Sequence, residues 1–167
     1  MSDPGVVRWL AGIAQSDPLL APQASAALGA VSNPAAGDAL LEIFSGSAST
    51  LVRANAARAL GRSGGPRQAS VLAAAIPDRG QPLRVRQEAA LAIGKMGDPA
   101  LVPVLIAAIE QTAHDDSVDG QQLRISMVRS LGELHSGEAH AFLERYAREK
   151  LSATERAFVS RALQTRS

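Results

Sequence analysis

A glycine recurs inside what otherwise reads as helix, and its spacing constrains the fold more than any other feature of the chain. Aligned on that glycine, "LAPQASAALGAVSNP" (20–34), "VRANAARALGRSGGP" (52–66), "VRQEAALAIGKMGDP" (85–99) and "LRISMVRSLGELHSG" (123–137) are versions of one pattern. The glycines are Gly29, Gly61, Gly94 and Gly132, spaced 32, 33 and 38 positions apart. A glycine within a helix costs about 1 kcal/mol relative to alanine, so its return at a near-constant period needs a compensating cause. Self-similarity at a period of this length marks a protein of stacked repeats.

Each unit opens on an apolar residue, Leu20, Val52, Val85 or Leu123, continues with small residues, and places Leu or Ile before the glycine. Helical periodicity puts Val52, Ala56, Ala57, Ala59 and Leu60 on one side of the second unit,. Alanines there let neighbouring backbones approach, and the glycine removes a side chain where the next helix must cross.

A second set of helices alternates with the first. Asp3-Pro4, Asn33-Pro34 and Asp98-Pro99 each set a capping side chain before a proline suited to the first helical position,. Gly65-Pro66 is a weaker form, and Ser136-Gly137 lacks the proline. In the fourth of these helices, Leu101, Val104, Leu105, Ala108 and Ile109 form an apolar stripe,. In the first, Trp9 aligns with Val6, Leu10 and Ile13 and is expected in the core. The tail "LSATERAFVSRALQ" (151–164) repeats the glycine-bearing pattern with Gln164 at the glycine position, as a terminal cap requires,.

Val52-Arg53, Ala56-Ala57, Ala59-Leu60-Gly61, Gly97-Asp98-Pro99 and Val102-Pro103 with Leu105 resemble HEAT repeats, in particular the short HEAT-like class first noted in phycobilin lyase subunits. The resemblance spans essentially the whole chain and is strongest from 52 to 110. It implies an all-α, right-handed α-α superhelix of about five helix pairs. The expected pairs, within one domain over 1–167, are about 3–32, 33–64, 65–97, 98–136 and 137–167. The Asp/Asn-Pro helices would form the convex layer and the glycine-bearing helices the concave one. The resemblance also implies that the arginine at the second motif position, here Arg53, Arg86, Arg124 and Arg156, packs within the stack. Asp78 and Asp119 lie close enough in sequence to pair with Arg86 and Arg124.

Composition narrows the possible functions. With no cysteine, thiolate zinc sites and cysteine nucleophiles are excluded together,. The chain carries no apolar run of membrane-spanning length and no signal-peptide pattern near residue 1, so a cytoplasmic protein without a membrane partner is expected,. The net charge of +1 conceals a basic middle, where residues 51–96 carry eight Lys and Arg against Asp78 and Glu88,.

A concave layer would expose the positions six before, three before and one after each glycine. These are Asn55, Arg58 and Arg62, then Glu88, Leu91 and Lys95, then Ser126, Arg129 and Glu133, with Arg161 continuing the series. Such a ridge suits a partner protein or acidic peptide, for which arginine supplies planar paired donors. The expected function is a non-catalytic interaction scaffold or adaptor, monomeric and without a cofactor. The alternatives are an accessory subunit of a lyase-type enzyme, and DNA binding through the basic middle, which lacks interleaved aromatics. HEAT-like deoxyhypusine hydroxylases carry several His-Glu dipeptides, and this sequence has none. His135, Glu138 and His140 are too few for a convincing metal site,. Asp115, Ser117, Asp119 and Gly120 match the opening of a calcium loop, but Ser126 stands where the closing acid belongs,. A solvated insertion is the better reading of 112–121.

Overall fold

The computed structural model describes residues 3–31 and 33–164; Ser32 and the expected domain's ends, 1–2 and 165–167, lie outside them. Among the described residues there are ten α-helices and no strand. The first five are α1 (Pro4–Ser16), α2 (Ala21–Ala30), α3 (Pro34–Gly46), α4 (Thr50–Ser63) and α5 (Pro66–Ala75). Then follow α6 (Leu83–Met96), α7 (Val102–Gln111), α8 (Val118–Glu133), α9 (Gly137–Tyr146) and α10 (Ala153–Gln164). Each odd-numbered helix pairs with the even-numbered helix after it, and the pairs stack along one continuous apolar core from Val7 to Val159.

The recurring glycines lie where even-numbered helices cross. A β-carbon on Gly29 would stand 2.7 Å from the Ala59 carbonyl oxygen, one on Gly61 2.9 Å from the Ala92 Cα, and one on Gly94 2.7 Å from the Ser130 Cα. In every case the opposing residue lies two positions before the next repeat's own glycine. The register is therefore glycine over alanine or serine, backbone against backbone. At the third crossing the Ser130 hydroxyl, 2.8 Å from the Ala90 carbonyl, can donate to it across the helix boundary. The even-numbered helices touch one another far more extensively than the odd-numbered ones do. Close approach on one side and spacing on the other make the glycine-bearing layer the inner side of the curve.

The odd-numbered helices start as their caps dictate. The carboxylate or amide oxygens of Asp3, Asn33 and Asp98 accept from the N–H groups of Gly5, Ala35 and Ala100 at 2.9–3.0 Å,. Ser136 does the same for α9 through Glu138 and Ala139. At Gly65, which has no side chain to cap with, the Gln68 side chain accepts from the Gly65 N–H instead. Asp98-Pro99 opens a single 3₁₀ turn, Pro99–Leu101, before α7. Val102, Leu105, Ala108 and Ile109 are buried, while Leu101 and Val104 are only partly so.

Trp9 departs from expectation. It is 65% exposed, as is much of Val6. Leu10 and Ile13 of the same row pack against the core, whereas Val6 and Trp9 stand outside it.

Two glycines of the same type in the same kind of element should respond oppositely to substitution. Gly61→Val forces a side chain into the Ala92 backbone, and overpacking of this kind costs about 1–3 kcal/mol or more. Gly12, within α1, has nothing within 4 Å of a built β-carbon. Gly12→Ala should therefore stabilise by about 0.5–1 kcal/mol through helix propensity alone. Urea denaturation followed by circular dichroism measures both.

Candidate functional site

The inner surface is built from the one strip of each even-numbered helix that its neighbours leave uncovered. Three positions before the glycine, Arg58, Arg129 and Arg161 are exposed and Leu91 is half-buried. One position after it, Arg62 and Lys95 are exposed and Glu133 is half-buried. These two rows line the uncovered strip.

The third expected row does not belong to it. Asn55 and Ser126 are buried, and Glu88 is half-buried. An inner helix in mid-stack is flanked on both sides by other inner helices, so six positions before the glycine the chain already faces its neighbour. The Ser126 hydroxyl accordingly donates to the carbonyl of Gln122 in its own helix at 3.1 Å. Arg84 occupies a place on the exposed strip that the motif alignment missed, one turn beyond the aligned positions. Helical spacing through Glu88, Leu91 and Lys95 was the signal that would have found it.

The ridge cations are not equivalent. Arg58 holds Glu88 of the next repeat with both ends of its guanidinium, Nε to Oε2 at 3.1 Å and Nη2 to Oε1 at 2.5 Å. The hydrogen bond it donates to Glu88 raises the Arg58 pKa against the opposing pull of its burial. Arg62 reaches back to the Ala26 carbonyl at 3.4 Å, and the Arg161 guanidinium lies 6.0 Å from the centre of the Phe158 ring. Among the described residues no ion pair engages Arg62, Lys95 or Arg129.

The arginines at the second motif position follow a different logic. Arg86 is buried, with Nε donating to the Ile76 carbonyl at 2.7 Å, and that burial together with the nearby charge of Arg79 lowers its pKa. Arg124 donates to the carbonyls of Thr112 and Asp115 and to Glu155 Oε1, the last at 2.8 Å. Both expected carboxylate partners are thereby corrected. The Ile76 backbone carbonyl takes the place of Asp78, and Glu155 of the following repeat takes the place of Asp119. Arg53 donates to the Gln81 side chain, while Arg156, on the last helix, is exposed.

Glu155 also completes a capping box at the start of α10. Its carboxylate accepts from the Ser152 N–H at 3.0 Å, and the Ser152 hydroxyl oxygen accepts from the Glu155 N–H at 3.2 Å,. Burial alone would raise the Glu155 carboxyl, but hydrogen bonds from Ser152 and Arg124 outweigh it and hold the pKa below the ordinary value. Above this junction lies a cleft of about 720 Å³ lined by His114, Gln121, Phe142, Tyr146 and Lys150 among others. Its buried ionic groups, Arg124 and Glu155, are already paired with each other.

The loop read as an incomplete calcium motif is organised from within. The Asp115 carboxylate accepts from the Ser117 N–H and hydroxyl and lies 3.5 Å from Arg79. Among the described residues no group of three or more potential ligands is arranged to hold a metal ion. His140 sits 3.3 Å from Glu144, and His135 turns the chain through a left-handed φ of 45° between α8 and α9.

A fold of helix pairs stacked in one register, with an inner cationic ridge, defines a helical-repeat scaffold. The family model of HEAT repeats matches residues 6–84 and 46–121, and the chain belongs to that family. No curated protein sequence matches it significantly. Among solved structures it is similar to a chain in the complex of CpcE and CpcF of phycocyanin lyase from Nostoc sp. PCC7120. That match has 22% identity and a TM-score of 0.71, covering 96% of this chain and 99% of that one. It is also similar to human deoxyhypusine hydroxylase in complex with glycerol, at 17% identity and a TM-score of 0.38, covering 98% of this chain and 85% of that one. No helix among the described residues is long and apolar enough to cross a membrane.

The depressed pKa of Glu155 sets a pH dependence. Its contribution to stability is complete above the unfolded carboxylate value of about 4.3 and is lost as pH falls through the lower folded value. Glu155→Gln leaves the Arg124 charge buried without its counter-charge, which should cost on the order of 3 kcal/mol near neutral pH. The variant's urea midpoint should then fall less steeply than that of the parent on acidification below about pH 5.

Proposed function

We propose that the chain is a non-catalytic adaptor that holds a partner protein, through an acidic stretch of it, along the inner ridge. One observation carries this reading. Arg62, Lys95 and Arg129 stand exposed on adjacent turns of three successive inner helices, and no carboxylate among the described residues engages them. The rigid backbone crossings beneath them hold the three cations at fixed separations, which lowers the entropy lost on binding. Arg58 belongs to the ridge but is held by Glu88, so a partner carboxylate would compete for it.

A second reading, an accessory subunit of a lyase-type enzyme, is supported by the likeness in fold to a chain of the phycocyanin lyase complex. It places the same inner surface against a larger enzyme assembly. Both readings describe a protein that works by docking.

The test is charge reversal. Arg62→Glu, Lys95→Glu and Arg129→Glu together should abolish binding of a fluorescein-labelled polyglutamate peptide, measured by anisotropy. Capture of partner proteins from a native extract should be lost as well. Helical circular dichroism should stay unchanged, since surface substitutions of this kind alter stability by only about 0.5 kcal/mol each. Undiminished capture by the triple variant would remove the ridge from the proposal. Capture of a bilin-bearing protein would favour the lyase reading, and retention of duplex DNA by the parent, weakening steeply with salt, would favour nucleic acid.

A further inference from the structure

The first repeat exposes residues whose counterparts in later repeats are covered. Nine positions before the glycine, Val52, Val85 and Leu123 are fully buried, whereas Leu20 is 48% exposed. Two positions before it, Ala59, Ala92 and Ser130 lie buried beneath the preceding repeat's glycine, whereas Ala27 is exposed. Six positions before it, Asn55 and Ser126 are buried and Gln23 is exposed. The outer helix repeats the contrast. Six residues after each cap, Ala39, Val71, Val104 and Phe142 are all at least partly covered, whereas Trp9 is 65% exposed.

We propose that this end face receives a further helix pair of the same repeat type, whose crossing glycine lies over Ala27. The face continues an interface that the chain itself forms three times, at Gly29–Ala59, Gly61–Ala92 and Gly94–Ser130. The large apolar side chains that the first repeat exposes are Val6, Trp9, Leu19 and Leu20. The opposite end of the stack is finished differently. Arg156, Ser160 and Gln164 are exposed there, and Gln164 replaces the glycine.

The same contrast argues against a second copy of this chain as the occupant. Docked end to end, a copy would present Gln164 where the crossing needs a bare Cα. Docked face to face, it would set Ala27 against Ala27. At the observed crossings a β-carbon in place of the glycine would come within 2.7–2.9 Å of the neighbouring backbone. Two alanines cannot approach that closely.

Trp9 is the chain's one tryptophan and reports directly on the face. The probe is a copy of residues 33–64 joined ahead of Asp3 of the full chain. Its Gly64 then precedes Asp3-Pro4 just as Gly97 precedes Asp98-Pro99. Linkage makes the docking intramolecular, so even a weak fit is populated. The extended chain should gain helical ellipticity and a higher Tm, and its tryptophan emission should move to shorter wavelength. Gly61→Val in the appended copy alone should return the emission to the parent's position while leaving the parent helices folded.

An unshifted emission, or no gain in helicity, would overturn the proposal. So would a concentration-dependent shift in the parent chain accompanied by a doubled mass in sedimentation, which would make a second copy the occupant. None of these outcomes bears on the inner ridge, whose charge-reversal test stands separately.

Discussion

Contact between backbones at the helix crossings is the constraint from which the other features follow. Where Gly61 meets Ala92 the only side chain at the crossing is the alanine methyl, so the two helix axes approach closely. Helices held so near can be offset only along fixed directions. One offset repeated gives a uniform stack, and a uniform stack gives the ridge its regular spacing. The glycines lower helix propensity where they stand, and the packing they admit offsets that loss.

The loops depend on a second device. Arg86 and Arg124 each reach from an inner helix to the carbonyls of the connection before it, satisfying acceptors that a buried turn would otherwise leave unpaired,. Arg124 extends the device into the last repeat through Glu155, which stands where earlier repeats carry Val52, Val85 or Leu123. Removing one partner of such a pair does more harm than the pair does good, because the survivor keeps its desolvation cost. At this position the last helix is tied to the stack by an ionic bond, where the earlier repeats carry an apolar residue.

Much of this fold was legible before any coordinates. The glycine period, the small residues beside it and the Asp/Asn-Pro caps each report a local rule, and local rules survive in a single sequence. What escaped depended on neighbours that the sequence does not place. Asn55 and Ser126 sit on the face opposite their own core stripe, yet are buried because another inner helix flanks them. Trp9 sits in line with Leu10 and Ile13, which pack against the core, yet is itself exposed. Glu155 could not be matched to Arg124 across 31 residues, and carbonyl acceptors leave no trace in residue identity at all. For the ridge, position was readable but engagement was not. Arg58 and Arg129 occupy equivalent places, and only the coordinates show that Glu88 holds the first.

The unequal spacing of the two helix layers has a mechanical side. Inner helices already in backbone contact leave no compressible material between them, while the outer helices are separated by side chains that can rearrange. Winding the arc tighter is therefore opposed on its inner side by backbone already in contact.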